Sequence, residues 1–144
     1  MLVLDAWSGA GKTGGARRNG RREASEGRRM SIAFVVVTLV AIACNAVEAV
    51  ANFVGAAWVK RNSRAVGVPD SWLPFLGFVK AAAVVGLAVG LFWRPLGVAA
   101  AAGLVAFFVC AMVAHVRAQV FHNIAGPLLF LGLSAATLWL MVAA

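Results

Sequence analysis

Four long apolar runs fill the chain from Ser31 to the C-terminus, and none of them alternates with a period of two residues. They cover residues 31–58, 71–93, 95–116 and 124–144. A helix needs about 20 apolar residues to cross the hydrocarbon core of a bilayer, and each run is long enough. Runs without alternation are typical of helices rather than of barrel strands. The pattern predicts an all-α integral membrane four-helix bundle with antiparallel, up-and-down spans.

Turn-forming and small residues support these four spans. Asp70 and Ser71 are candidate N-cap residues for the second helix, and WRPLG predicts a tight turn with Pro95 at the start of the third. Gly86 and Gly90 form a GxxxG pair, a motif that lets helix backbones approach closely. These features predict packing and no particular chemistry.

Composition places the chain in a membrane. Hydrophobic residues make up 62% and charged residues 12% of the 144 residues, and the mean hydropathy is +0.90. A soluble domain averages about 45–50% apolar and about 25% charged residues. The Ala-, Val- and Arg-rich usage fits a GC-rich bacterial genome, so we expect a multi-pass protein of the bacterial cytoplasmic membrane.

The net charge of +8 is concentrated in a tail, because seven of the 13 Lys and Arg residues precede Met30. A basic tail ahead of spans is typical of a topology signal or a membrane-surface contact, so nucleic acid is not expected as a partner. Residues 1–29 are Gly- and Arg-rich and predicted to be disordered, ahead of a membrane domain at residues 30–144. AWSGAGKT at residues 6–13 resembles a phosphate-binding loop, but no apolar helix follows it.

The tail also decides the predicted orientation. Met30 directly precedes the first span and follows Ser-Glu-Gly-Arg-Arg, whose codons can form a purine-rich ribosome-binding site, so Met30 is an alternative start. With the tail, the side holding both termini carries eight positive residues against four, which predicts cytoplasmic termini. Starting at Met30, the count is one against four, and the prediction inverts.

Two charges, Glu48 and Lys80, lie at membrane depth. A charge at the bilayer centre costs about 2.5–3.5 kcal/mol, so such residues usually have a partner inside a bundle. If the first helix ends near Val59 and the second begins near Ser71, these charges lie about 16 and 14 Å from the same interface. We therefore expect them to meet at one level.

Other polar residues fall close to the same depth. Asn45, Glu48 and Asn52 share one helix face by their spacing, and Ser134 lies about 15 Å deep in the fourth span. We predict that these four residues and Lys80 line the bundle interior. Three interpretations remain: a structural ion pair, a pocket for a quinone, lipid head group, ion or small polar solute, and snorkelling of Lys80 to the interface.

The remaining chemically active residues assign no catalytic or metal site. Cys44 and Cys110 form no CxxC motif for thiol chemistry. His115 and His122 fall at the end of the third span and in the next loop, without a nearby carboxylate in sequence. Interfacial anchoring is the default interpretation of both histidines, and no cofactor motif is evident.

Residues 66–118 and the four spans resemble the DoxX-like family of small bacterial membrane proteins, over Met30–Ala144. The resemblance is carried by Gly67-Val68-Pro69, Trp72-Leu73-Pro74, Leu76-Gly77 and His115 with Arg117. It implies membrane localisation and, in some members, association with thiosulfate–quinone or thiol-stress oxidoreductases. Most members have no established activity. Many relatives carry Glu where Lys80 stands and a Lys late in the first helix, and an ion pair would survive that reversal.

These observations favour a non-catalytic membrane subunit, or a small-ligand-binding bundle with an intramembrane polar pocket. One alternative is a membrane component of a quinone- or thiol-linked oxidoreductase system, with a quinone as cofactor and a membrane or peripheral redox partner. The other is an intramembrane enzyme that uses Glu48 as an acid or base. The lipid bilayer is the expected surrounding, and homo-oligomerisation is left open.

Overall fold

The protein is all-α in the computed structural model, which describes residues 3–143 and, from Gly15 onward, their side chains. The helices are α1 (Val3–Phe53), α2 (Ala57–Ala65), α3 (Leu73–Gly90), α4 (Arg94–Arg117) and α5 (Ala125–Ala143), with a 3-10 turn at Asp70–Trp72 before α3. Within these described residues, four segments are long and apolar enough to cross a membrane: Gly15–Phe53, Asp70–Gly90, Arg94–Arg117 and Ala125–Ala143. The predicted all-α, four-span architecture is confirmed.

The described residues divide into two units, with the boundary between Ala33 and Phe34. In the first unit, α1 is helical from Val3 onward. Every described side chain from Gly15 to Ile32 is exposed, so the helix gains no apolar burial there. The side chains of the loop-like motif at residues 6–13 lie outside the described part.

The first span ends earlier than the sequence predicts, at Phe53 instead of residue 58. Gly55 adopts a left-handed φ of 61°, and its N–H donates to the Asn52 carbonyl at 3.2 Å. The Ala56 N–H donates to the Ala51 carbonyl at 2.9 Å. These two bonds form a Schellman motif, which glycine favours because it has no Cβ to clash in this conformation. The basic segment that follows therefore forms a separate short helix, α2.

The second unit has a packed apolar interior. Its fully buried cluster comprises Ala41, Leu87, Ala101, Leu104, Phe108 and Met141. Small residues bring α3 and α4 together: a Cβ added at Gly86 would lie 2.6 Å from the Ala100 Cβ, and one added at Gly90 would overlap the Gly97 Cα. The predicted small-residue contact thus joins the second and third spans, which leaves the other faces of α3 and α4 to form the site described next.

Candidate functional site

The part of α1 that belongs to the second unit presents a row of polar side chains to the interior of that unit. Thr38, Asn45 and Asn52 are at most 4% exposed, and Glu48 is half-buried between the last two. Their spacing of seven, three and four residues keeps them on one helix face. Within the row, the Asn45 and Asn52 amides donate to the carbonyls four residues earlier, at 2.8 and 2.7 Å. Two other polar atoms of the row, Thr38 Oγ1 and Asn45 Oδ1, are buried without a hydrogen-bond partner among the described residues.

Glu48 and Lys80 form an ion pair between α1 and α3, in which Lys80 Nζ donates to Glu48 Oε2. Their side chains are only 18% and 10% exposed. The ammonium also lies 5.2 Å from the Phe107 ring centroid and 5.7 Å from that of Phe108. A cation over aromatic faces is attracted by the ring quadrupoles. The two rings of α4 therefore stabilise the Lys80 ammonium in addition to the Glu48 carboxylate.

Gly77 lets α1 and α3 approach closely enough for this pair. A Cβ added at Gly77 would lie 3.1 Å from the Asn52 Cβ and 3.2 Å from the Ala49 carbonyl oxygen. Lys80 follows on the same helix, three residues later, and so faces the same part of α1.

A cavity of about 800 Å³ adjoins the ion pair. Glu48, Lys80 and Asn52 line it, whereas Asn45 and Ser134 do not. The five residues predicted to line the bundle interior therefore do not all line this cavity. Asn45 is fully buried, and the Ser134 hydroxyl donates to the Phe130 carbonyl at 2.8 Å. Both residues lie in the bundle interior away from the cavity wall, because depth alone does not determine which side chains meet.

The cavity is amphipathic. Its other polar lining residues are Arg61, Asn62, Ser63, His115 and Asn123. Its aromatic lining residues are Trp58, Trp72, Phe75, Phe107 and Phe108. Such a wall has donors, acceptors and ring faces for a small amphiphilic molecule. Among the described residues, no group of three or more His, Cys, Asp or Glu could hold a metal ion.

His115 is the site residue that the sequence misplaced. It is 3% exposed and lines the cavity, whereas its position near a span end predicted an interfacial anchor. Its Nδ1 lies 2.8 Å from the Ala111 carbonyl oxygen, and its Nε2 has no hydrogen-bond partner among the described residues. The spacing of seven residues from Phe108 could have indicated that both face the same side of α4.

Two polar contacts hold the segments around α2. Asn123 Nδ2 donates to Asn62 Oδ1 at 2.7 Å, which joins α2 to the segment before α5. Arg64 Nε donates to Asp70 Oδ1 at 2.8 Å, and this hydrogen bond to a carboxylate raises the pKa of Arg64. The first contact ties together two residues of the cavity wall.

The sequence model of the DoxX-like family matches residues 36–137, which include Glu48, Lys80 and His115. The chain belongs to the DoxX-like family. Comparison with curated proteins and with solved structures gave no match. Family membership and the four apolar helices establish a multi-pass membrane protein in contact with the lipid bilayer. The match covers every residue of the cavity wall and leaves out the basic segment before Val36.

Proposed function

We propose that this DoxX-like protein is a non-catalytic membrane subunit that binds a small amphiphilic ligand in the cavity beside Glu48 and Lys80. The cavity itself carries the proposal. Its volume of about 800 Å³ falls in the range of about 300–1,000 Å³ that small-molecule sites occupy. It combines ring faces with a few polar groups, the pattern by which such sites hold and orient a ligand.

Binding is favoured over catalysis by the state of Glu48. Its carboxylate is already engaged by Lys80, and no second carboxylate lines the cavity in the described part of the chain. To act as an acid or base, Glu48 would have to be free to exchange a proton with a substrate. Glu48 instead holds the ammonium over the Phe107 and Phe108 rings, so its role is to fix one wall of the cavity.

The alternative is a membrane component of a quinone-linked oxidoreductase system. The specific observation in its favour is the size and aromatic lining of the cavity, since a quinone ring could stack on Phe107 or Trp72. In that case the chain would hold the quinone, and a membrane or peripheral partner would supply the redox centre. For either function, we propose the bacterial cytoplasmic membrane as the location of the protein.

Ligand capture by cavity-filling variants tests the proposal. Ala111 lines the cavity, and Ala102 is exposed on the same helix and does not line it. The wild type, Ala111→Phe and Ala102→Phe would be purified in a mild detergent and extracted with organic solvent for mass spectrometry. We expect a small amphiphile to copurify with the wild type and Ala102→Phe, and to be lost from Ala111→Phe. The same extract from all three proteins would refute the proposal. A bound quinone would select the alternative.

A further inference from the structure

The hydrogen-bonding state of His115 follows from its surroundings. Nδ1 lies 2.8 Å from the carbonyl oxygen of Ala111, and a carbonyl can only accept, so Nδ1 carries the proton. In a neutral imidazole the other nitrogen is then an acceptor. Nε2 is that acceptor, and the described residues provide it with no donor. A buried acceptor of this kind needs a donor from elsewhere.

The backbone that carries His115 is held by the hydrogen bonds at the end of α4. The His115 carbonyl accepts from the Val120 N–H at 3.0 Å, and the Gln119 N–H donates to the Val116 carbonyl at 3.1 Å. These bonds close the end of α4 with Gln119 in a left-handed conformation, at φ 59°. Because the backbone and Nδ1 are both held, Nε2 is oriented before any ligand arrives.

The wall next to His115 is apolar. Phe108 precedes it by seven residues, which is about 10 Å along the helix on nearly the same face. The Lys80 ammonium lies over Phe107 and Phe108 at that deeper level. A ligand that reaches His115 therefore has aromatic surface beside its body and an ion pair at its far end.

We propose that Nε2 of His115 accepts a hydrogen bond from the hydroxyl group of an apolar ligand in this cavity, an inference that rests on the proposed function. A hydroxyl supplies the missing donor, and the rings of the wall cover an apolar body. Two sources share this chemistry: an alkyl-substituted phenol and a long-chain alcohol. His115 is thus the residue that selects a ligand by its hydroxyl group.

The chain itself suggests the variant that isolates Nε2. Asn45 and Asn52 each donate from Nδ2 to the carbonyl four residues earlier, as His115 does from Nδ1. His115→Asn should therefore keep the bond to Ala111 and remove the acceptor from the Nε2 position, since the remaining acceptor Oδ1 falls near the former Cδ2. His115→Gln places an amide oxygen near the former Nε2 position and should restore it in part. His122, exposed and outside the cavity lining, gives the control His122→Asn.

Tryptophan quenching reports binding, because Trp58 and Trp72 line the cavity. The other three of the five tryptophans, Trp7, Trp93 and Trp139, would be replaced by Phe in every protein. The probes are 2-bromo-4-nonylphenol and its methyl ether, and 2-bromododecan-1-ol and its methyl ether, added to protein in lipid nanodiscs. Each ether keeps the apolar body and lacks the hydroxyl donor.

In the wild type and His122→Asn, we expect the hydroxyl form of one pair to bind about tenfold more tightly than its ether, as one hydrogen bond to a buried group implies. The probe pair that shows this difference identifies the ligand class as an alkyl-substituted phenol or a long-chain alcohol. His115→Asn should bind both forms equally. Saturable quenching with equal affinities in the wild type, or a preference that survives in His115→Asn, would overturn the role of His115 and leave the cavity a binding site. No saturable quenching by any probe would overturn both proposals.

Discussion

Lys80 Nζ donates a hydrogen bond to the carboxylate of Glu48, which precedes it by 32 residues in the chain. Each charge is thereby neutralised in a largely buried position, and the pair joins α1 to α3. The net contribution of a buried pair is small, because desolvation offsets most of the attraction. The loss of one partner is different, since it leaves an unpaired charge in an apolar interior.

Single and double replacements of the pair should therefore differ. We expect Lys80→Met or Glu48→Leu alone to lower the free energy of unfolding by roughly 3–5 kcal/mol, because each leaves one buried charge uncompensated. The double variant should lose less than either single variant. Thermal unfolding in a mild detergent, followed by circular dichroism, measures all four proteins. A double variant whose loss equals the sum of the two would mean that the residues are not coupled.

Exchange of the two charges should preserve the fold and lower the free energy of unfolding. The variant Glu48→Lys with Lys80→Glu keeps the attraction, but it removes the cation from the faces of Phe107 and Phe108. We expect its free energy of unfolding to be higher than that of Lys80→Met. It should remain about 0.5–2 kcal/mol below that of the wild type, the range of a cation–π contact. The same reversal in a Phe107→Leu, Phe108→Leu background is the control, where the deficit should shrink. A reversed protein that matches the wild type would show that the rings do not stabilise Lys80.

The spans and the facing charges could be predicted because both follow from the properties of the bilayer. Long apolar runs have few alternatives there, and two opposite charges at similar depth have strong reason to meet. The length of the first span could not be predicted in the same way. Hydropathy continues past Phe53 to Val59, whereas the helix ends through the left-handed backbone of Gly55, which is a local property.

The composition of the cavity wall was harder to predict, because it depends on helix rotation and on neighbouring segments. Asn45 and Ser134 lie outside the wall, and their amide and hydroxyl groups donate to their own helices. His115 stands two residues before the end of α4, a position that suggests exposure. It is buried in the structure, within a cavity whose wall includes part of α2 and of the segment before α5. Neither segment has a hydropathy pattern that places it there.

The close approach of α3 and α4 predicts a strong dependence on glycine at one position. A Cβ at Gly90 would overlap the Gly97 backbone, which cannot move aside as a flexible side chain could. We expect Gly90→Ala to destabilise the protein by about 1–3 kcal/mol, as overpacking does. Gly103→Ala on α4 is the matched control, because no atom lies within 4 Å of its added Cβ. It should be neutral or slightly stabilising in the same thermal unfolding measurement. Equal effects would mean that backbone contact does not set the helix separation.

The basic residues before Met30 should determine the orientation of the protein. In the four-span topology predicted from the sequence, Arg94 and the cations of residues 1–29 belong to the side of the termini, and the basic residues of α2 belong with Arg117 to the other side. Cations near the spans are retained in the cytoplasm, whereas Asp and Glu contribute little to orientation. The pairing of Arg64 with Asp70 should therefore not weaken the effect of Arg64 on orientation. We expect a reporter fused after Ala144 to be cytoplasmic in the full chain and external after deletion of residues 1–29. Replacement of Lys60, Arg61 and Arg64 by Gln in the shortened chain should lower the fraction of protein whose reporter is external. Unchanged orientation after the deletion would assign the signal to the spans themselves.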